Sequence, residues 1–325
     1  MFKNNFLKGG AALITKSEYT KEKEYFEFVR GMIVLCVILA HFPVPEIPEF
    51  LHRICFSFHM PLIFLIVGYD FQDKEFPTLL SEKAKQFLIP YLFCLIGIIG
   101  VSVFGNIFSM AEVSLEQNIL NWIWAGIYGS GNAYSEPFWI ESIGIIWIFP
   151  ALFWSMLIFH WCVKRKNPFV WIILFITVGL YTKQYFWLPF SVQAAFLCVA
   201  YIYIGYIEKR KAILKRIFRT PYWVAAMFLL WASYLAIGGG KLYLVAGSFE
   251  LGFLYDFFFS IIASACILYL CWQISALKWR IKNGFLFWGR NFLKVLCVHV
   301  IELSIFPWWH VRLFFENRGI NGYIL

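Results

Sequence analysis

Charge is what this chain has least of. Only 14% of its 325 residues are Asp, Glu, Lys or Arg, 61% are hydrophobic, and the mean hydropathy is +0.69. A soluble domain carries about 25% charged residues, so an ordinary water-soluble fold is excluded. The chain also lacks a low-complexity tract, a clear internal repeat and any polar stretch long enough for a second, soluble domain. Its eight cysteines (Cys36, Cys55, Cys94, Cys162, Cys198, Cys266, Cys271 and Cys297) form no CxxC pair and show no metal-ligand spacing. All lie in or at the ends of apolar runs, where they read as small hydrophobes in packed helices rather than as disulfides or metal ligands. A cleavable leader is missing too: the first 25 residues are polar and lysine-bearing, so the N-terminus is expected to be retained.

What is there is a series of apolar runs, most of them near the ~20 residues that cross a bilayer core as helix. They are Phe26–Phe42, Ile54–Phe71, Phe87–Phe108, Phe138–Trp161, Phe169–Tyr181, Leu188–Ile207, Tyr222–Ile237, Leu251–Ile274 and Phe285–Trp308, with Phe169–Tyr181 the shortest. The fold class is therefore all-α, a polytopic transmembrane helix bundle of about nine to ten spans. Residues 1–25 form an N-terminal tail, 26–308 the transmembrane domain and 309–325 a short C-terminal tail.

Basic loops stay in the cytoplasm. With the N-terminus inside, 23 of the 28 lysines and arginines fall on inner segments, and only Arg53, Lys183, Lys241, Arg312 and Arg318 fall outside. Counting Leu115–Tyr128 (LEQNILNWIWAGIY) as a span would put the later basic loops outside, so it is expected to be an outer-face amphipathic or re-entrant segment. The net charge of +9 is explained by basic loops facing anionic lipid and implies no nucleic-acid partner.

Against that apolar background Arg30 and His41 stand out, with ten residues between them on one run. Ionisable residues inside a span are costly and mark function. Eleven helical steps of about 100° end about 20° past three full turns, so the two share a face about 16 Å apart. His59, in the next run, is expected at nearly the same depth as His41.

These residues belong to longer blocks: YFEFVRGMIVLCVILAH (Tyr25–His41), FSFHMPLIFLIVGY (Phe56–Tyr69), KQFLIPY (Lys85–Tyr91), GIIWIFPALF (Gly144–Phe153), LPFSVQAAFLCVAYIYIGY (Leu188–Tyr206) and GRNFLKVLCVH (Gly289–His299). In that order they resemble the signature blocks of the acyltransferase 3 family of membrane proteins, and more narrowly its fucose 4-O-acetylase-like branch. The departures are Glu27 where aspartate is commoner, Val67 for a serine, an unusual Asp70, and Phe292 where the family places a serine. The family has about ten helices with both ends inside, against nine counted here. The resemblance implies an integral-membrane O-acyltransferase of the cell membrane. It would carry acetyl from cytoplasmic acetyl-CoA, a substrate and not a bound cofactor, to a cell-surface polysaccharide or a lipid-linked sugar precursor.

The residues also make sense as an acyl-transfer site. Taking a proton from a sugar hydroxyl near neutral pH suits a neutral imidazole. His41 is the candidate base, and His59 is the candidate to orient it, share the proton or donate to the oxyanion. On the donor side stand Arg30, Glu27 and Asn291. The guanidinium of Arg30 suits a phosphate, an ion pair with Glu27 three residues earlier is the plainer reading, and a purely topogenic charge is the plainest. On the acceptor side stand Glu136, Trp139 and Glu141, suited to gripping and stacking on a sugar, with His299 at mid-span. His52, His160 and His310 read as solvated or interfacial. Two other classes stay open: a transporter or flippase of a glycan or lipid-linked sugar, which also uses buried ionisable residues, and an inactive accessory subunit.

Overall fold

A chain this apolar must satisfy its backbone hydrogen bonds inside each segment, and the computed structural model does so almost wholly with helices. It describes residues 16–41, 48–108, 114–133, 139–277 and 280–305. The expectations for Glu136, His310, Arg312, Arg318 and the 309–325 tail lie outside these. Among the described residues the strands are a single two-residue pair, β1 (Leu242–Tyr243) and β2 (Ser248–Phe249), antiparallel with Leu242 opposite Phe249.

The helices are α1 (Lys16–Ala40), α2 (Glu49–Phe56), α3 (His59–Tyr69), α4 (Phe76–Lys83), α5 (Ile89–Phe108), α6 (Leu115–Tyr128), α7 (Ile148–Val163), α8 (Pro168–Thr182), α9 (Val192–Lys211), α10 (Ile213–Ile217), α11 (Pro221–Ala236), α12 (Phe253–Ser275), α13 (Lys282–Arg290) and α14 (Phe292–Ile305). Local chemistry sets their ends. Pro168 and Pro221 open α8 and α11 at the position where a missing N–H costs nothing. The Ser114 side chain caps α6, and Gly129, at φ +60°, closes it. Between α4 and α5 the helix widens to a π turn over Ala84–Leu88, where the N–H of Ile89 reaches the Ala84 carbonyl, just ahead of Pro90, which has no N–H to give.

Among the described residues four helical stretches are long and apolar enough to cross a membrane: Glu49–Tyr69, Phe76–Gly105, Gly144–Val163 and Phe253–Ser275. A fifth follows if the pair Lys282–Arg290 and Phe292–Leu303, bent by 87°, is counted once. This is fewer than the nine runs read from the sequence. At 15 and 16 residues, α8 and α11 are short, while α1 and α9 carry charged turns at one end. The expected run Phe285–Trp308 is helical over its described part but is not one straight helix: the chain turns at Asn291, after the weak helix formers Gly284 and Gly289. Leu115–Tyr128 is a helix over those same bounds. The Gly144–Val163 stretch is the centre, 89% buried, whereas Phe76–Gly105, the most apolar, is only 22% buried and turns Ile89, Phe93, Ile96 and Phe104 outward. An apolar surface of that extent belongs in lipid, and the protein is a membrane protein.

Two helix crossings are closed by backbone contact. A Cβ on Gly31 would fall on the Phe285 carbonyl and one on Gly289 on the Glu27 carbonyl, joining α1 to α13. In the same way Gly68 meets Ile202 and Gly205 meets Leu65, joining α3 to α9. Small residues are what lets helix backbones approach so closely in a membrane. Helices α1 and α3 run in opposite senses: Arg30 pairs with Asp70 at one end and His41 faces His59 at the other.

Candidate active site

Helix α1 stops at Ala40, shortly before Pro43, and its last turn has carbonyls to spare. His41 uses one of them: its backbone N–H and its ring Nδ1 both donate to the Val37 carbonyl, at 3.1 and 2.9 Å. The break between α2 and α3 does the same for His59. There the Cys55 carbonyl accepts the Phe58 N–H at 3.4 Å and the His59 Nδ1 at 2.7 Å. A carbonyl can only accept, so Nδ1 carries the hydrogen in both rings, and each neutral imidazole is left with a bare Nε2 lone pair. Both histidines are therefore held in the tautomer that a base requires. His59 is fully buried and its Nε2 has no partner, while His41 is half-buried. The ring centres are 6.1 Å apart, edge to face.

Phe56 is the hub of this end. Its ring centre lies 5.6 Å from His41, 4.9 Å from His59, 4.0 Å from His52, on which it stacks, and 5.4 Å from Tyr243. Arg53 closes the cluster over: it bonds Glu49 at 2.8 Å, grips Glu250 with two nitrogens at 2.8 and 3.1 Å, and reaches the carbonyls of Gly238 and Gly239. Lys241 adds a 2.7 Å pair with Glu49, whose hydrogen bond raises the lysine's pKa. His299, on α14, which packs against α1, lies toward the same end. Its Nδ1 donates to Glu302 Oε2 at 3.2 Å, and its Nε2 is buried without a partner.

The opposite end of α1 and α3 is ionic. Arg30 pairs with Asp70, with side chains 28% and 48% exposed. Glu27 pairs instead with Arg290, at 3.1 Å, which corrects the expected Glu27–Arg30 pair: Asp70 lies across the α1/α3 contact, and the α13 crossing brings Arg290 to Glu27. Lys209 sits 4.3 Å from the Tyr69 ring centre and pairs with Glu22. The Asn291 side chain donates to the Phe287 carbonyl at 3.0 Å at the end of α13.

The structure thus brings together His41, His59 and His299 at one end, and Arg30, Glu27 and Arg290 at the other. It does not bring the remaining acceptor candidates to the histidines. Trp139 is 58% exposed and the Glu141 carboxylate accepts the Ser142 N–H. Among the described residues no hydrogen bond, ion pair or ring contact joins either one to His41 or His59. His160, expected to be solvated, is buried, its Nε2 bonded to the Lys74 carbonyl at 2.9 Å. Sequence reasoning missed Phe56, His52 and Glu302. A signal for the last was present, since a histidine and a glutamate three residues apart on a helix share a face.

Bare imidazole nitrogens in an apolar bundle suit the removal of a proton from a hydroxyl. The family model described as an acyltransferase domain, of the acyltransferase 3 type, matches residues 23–319. The chain belongs to this family. The match covers every element from α1 to α14 apart from the first residues of α1, so the histidine and arginine ends both lie inside the acyltransferase domain, and the protein is a membrane acyltransferase. No curated protein and no solved structure matches the chain.

Proposed function

We propose that this membrane acyltransferase is an O-acetyltransferase of the fucose 4-O-acetylase-like kind. It sits in the cell membrane and moves acetyl from cytoplasmic acetyl-CoA to a hydroxyl of a cell-surface polysaccharide or its lipid-linked precursor. The observation that carries the reading is the division of α1 and α3 into an ionic end at Arg30 and an imidazole end at His41 and His59, about 16 Å apart along the helix. Arg30, with Glu27 and Asn291 nearby in the sequence reading, is the donor side, where a guanidinium fits a phosphate of coenzyme A. The thin pantetheine arm is the part of the donor suited to cross the remaining distance. At the far end His41 Nε2 takes the proton of the acceptor hydroxyl as its oxygen attacks the thioester carbonyl. The carbon–sulfur bond then breaks, and the thiolate collects the proton. His59, whose Nε2 is also bare, shares that proton, and Glu136, Trp139, Glu141 and His299 are the acceptor side.

The division of the loops into two sides agrees with the ion pairs. Lys209–Glu22, Lys282–Glu24 and Lys164–Asp73 join residues assigned inside, and Arg53–Glu250 and Lys241–Glu49 residues assigned outside. A transporter would draw support from the bent pair at Asn291, but among the described residues that pair has no bent counterpart. The deciding experiment compares surface polysaccharide from wild-type and deletion strains. An acetyltransferase leaves the polymer in normal amount without its O-acetyl groups; loss of the polymer itself would refute this reading in favour of transport.

A further inference from the structure

Three histidines at the imidazole end share one device, an Nδ1 tied to an acceptor and a bare Nε2, yet only one is tied to a carboxylate. His41 and His59 hold backbone carbonyls, and the titratable groups that face them are each other, His52 and His299. Among the described residues an imidazolium formed on either has no anion beside it, and an unpaired charge inside an apolar bundle is strongly disfavoured. His299 is 6% exposed and holds Glu302 Oε2 at 3.2 Å. Among the described residues the other acids packed toward this end are engaged: Glu49 by Arg53 and Lys241, Glu250 by Arg53, and Asp256 by the Tyr234 hydroxyl at 2.7 Å and the Leu251 N–H. Glu302 alone among these keeps a buried oxygen, Oε1, with no partner.

We propose that Glu302 is a positioning residue that makes His299 the second proton carrier of the transfer. On this scheme, which rests on the acetyltransferase reading, His41 removes the hydroxyl proton, the proton moves on to His299 Nε2 through one intervening water, and His41 returns to neutral. The imidazolium then sits against the Glu302 carboxylate until the coenzyme A thiolate takes the proton, and both rings end as they began. A carboxylate that fixes the tautomer of a histidine and stabilises its charged form is a recurrent arrangement in acyl transfer. His299 thereby acquires a role in the chemistry as well as in holding the acceptor.

The test uses the full-length protein purified in detergent. Nitrogen-15 histidine spectra are expected to show His299 as the Nδ1–H tautomer in the wild type and as a tautomer mixture in Glu302→Ala; an Nε2–H tautomer in the wild type overturns the proposal whatever the activity. In the transfer assay Glu302→Gln is expected to lower kcat ~10–100-fold, part of what a positioned base contributes, with KM for donor and acceptor unchanged. Glu302→Asp is expected to recover much of the loss, and a Glu302→Gln, His299→Ala double mutant to lose no more than His299→Ala alone. Wild-type activity in Glu302→Gln overturns the relay and leaves the acetyltransferase reading standing. A wild type that transfers no acetyl overturns both.

Discussion

Asp70→Asn tests the donor side where the structure departs most from sequence expectation. The Arg30–Asp70 pair is partly exposed, at 28% and 48%, and pairs of that kind are worth about 0–1 kcal/mol. Any phosphate that binds Arg30 must displace Asp70, so that amount is subtracted from donor affinity. Removing the charge while keeping the shape is expected to cost the fold little and to lower the apparent KM for acetyl-CoA by up to about fivefold, the factor that 1 kcal/mol represents. Arg30→Ala should raise that KM, and Arg30→Lys should keep part of the activity as a cation without the planar fork. The double mutant Arg30→Ala, Asp70→Asn should match Arg30→Ala, because the gain needs the guanidinium. Initial rates against acetyl-CoA concentration on purified protein, with acceptor saturating, decide it. An Asp70→Asn enzyme with unchanged donor KM, beside an Arg30→Ala enzyme with unchanged donor KM and kcat, would refute a donor role for Arg30.

His41→Ala is expected to lower transfer about 10²–10⁴-fold at unchanged membrane abundance, and His41→Gln, which bonds but takes no proton, should not recover it; activity in the glutamine variant would make the histidine structural. Cysteines placed in 209–219 should react with an impermeant maleimide only when the cytoplasmic face is open, and those at 238–241 from outside; the reverse would invert the orientation.

The sequence revealed the residues that depth alone could place and missed those that needed tertiary contact. His41 and His59 could be paired from their positions in two consecutive runs, and Leu115–Tyr128 could be set apart as a segment of its own by the count of basic loops. Helical spacing assigned Glu27 to Arg30. The winner was Asp70, forty positions away, because the α1/α3 contact brings it across, and no periodicity records that. The turn at Asn291 was hidden for a related reason: Phe285–Trp308 is apolar enough for one straight helix, and the bend goes with a tertiary contact, the close approach of α13 to α1 at Gly31 and Gly289. Glu302 was legible as a neighbour of His299 but not as the acid whose second oxygen is spare, a fact that exists only once the other carboxylates have found partners.

The glycine crossings make the bundle mechanically uneven. Gly31 and Gly68 both lie toward the ionic end of α1 and α3, where backbone rests on backbone, whereas the imidazole end is held by side chains. Helix α1 is thus a lever with its fulcrum at Gly31 and the imidazole about 15 Å out along the arm. A tilt of 10° about that fulcrum would swing His41 by about 2.6 Å, and a misplacement of about 1 Å can cost a factor of about 10² in rate. The fit of two glycines to two carbonyls therefore sets the aim of a nitrogen three turns away, and a methyl group added at the fulcrum, which has to push backbone off backbone, would be felt in the chemistry as well as in the fold.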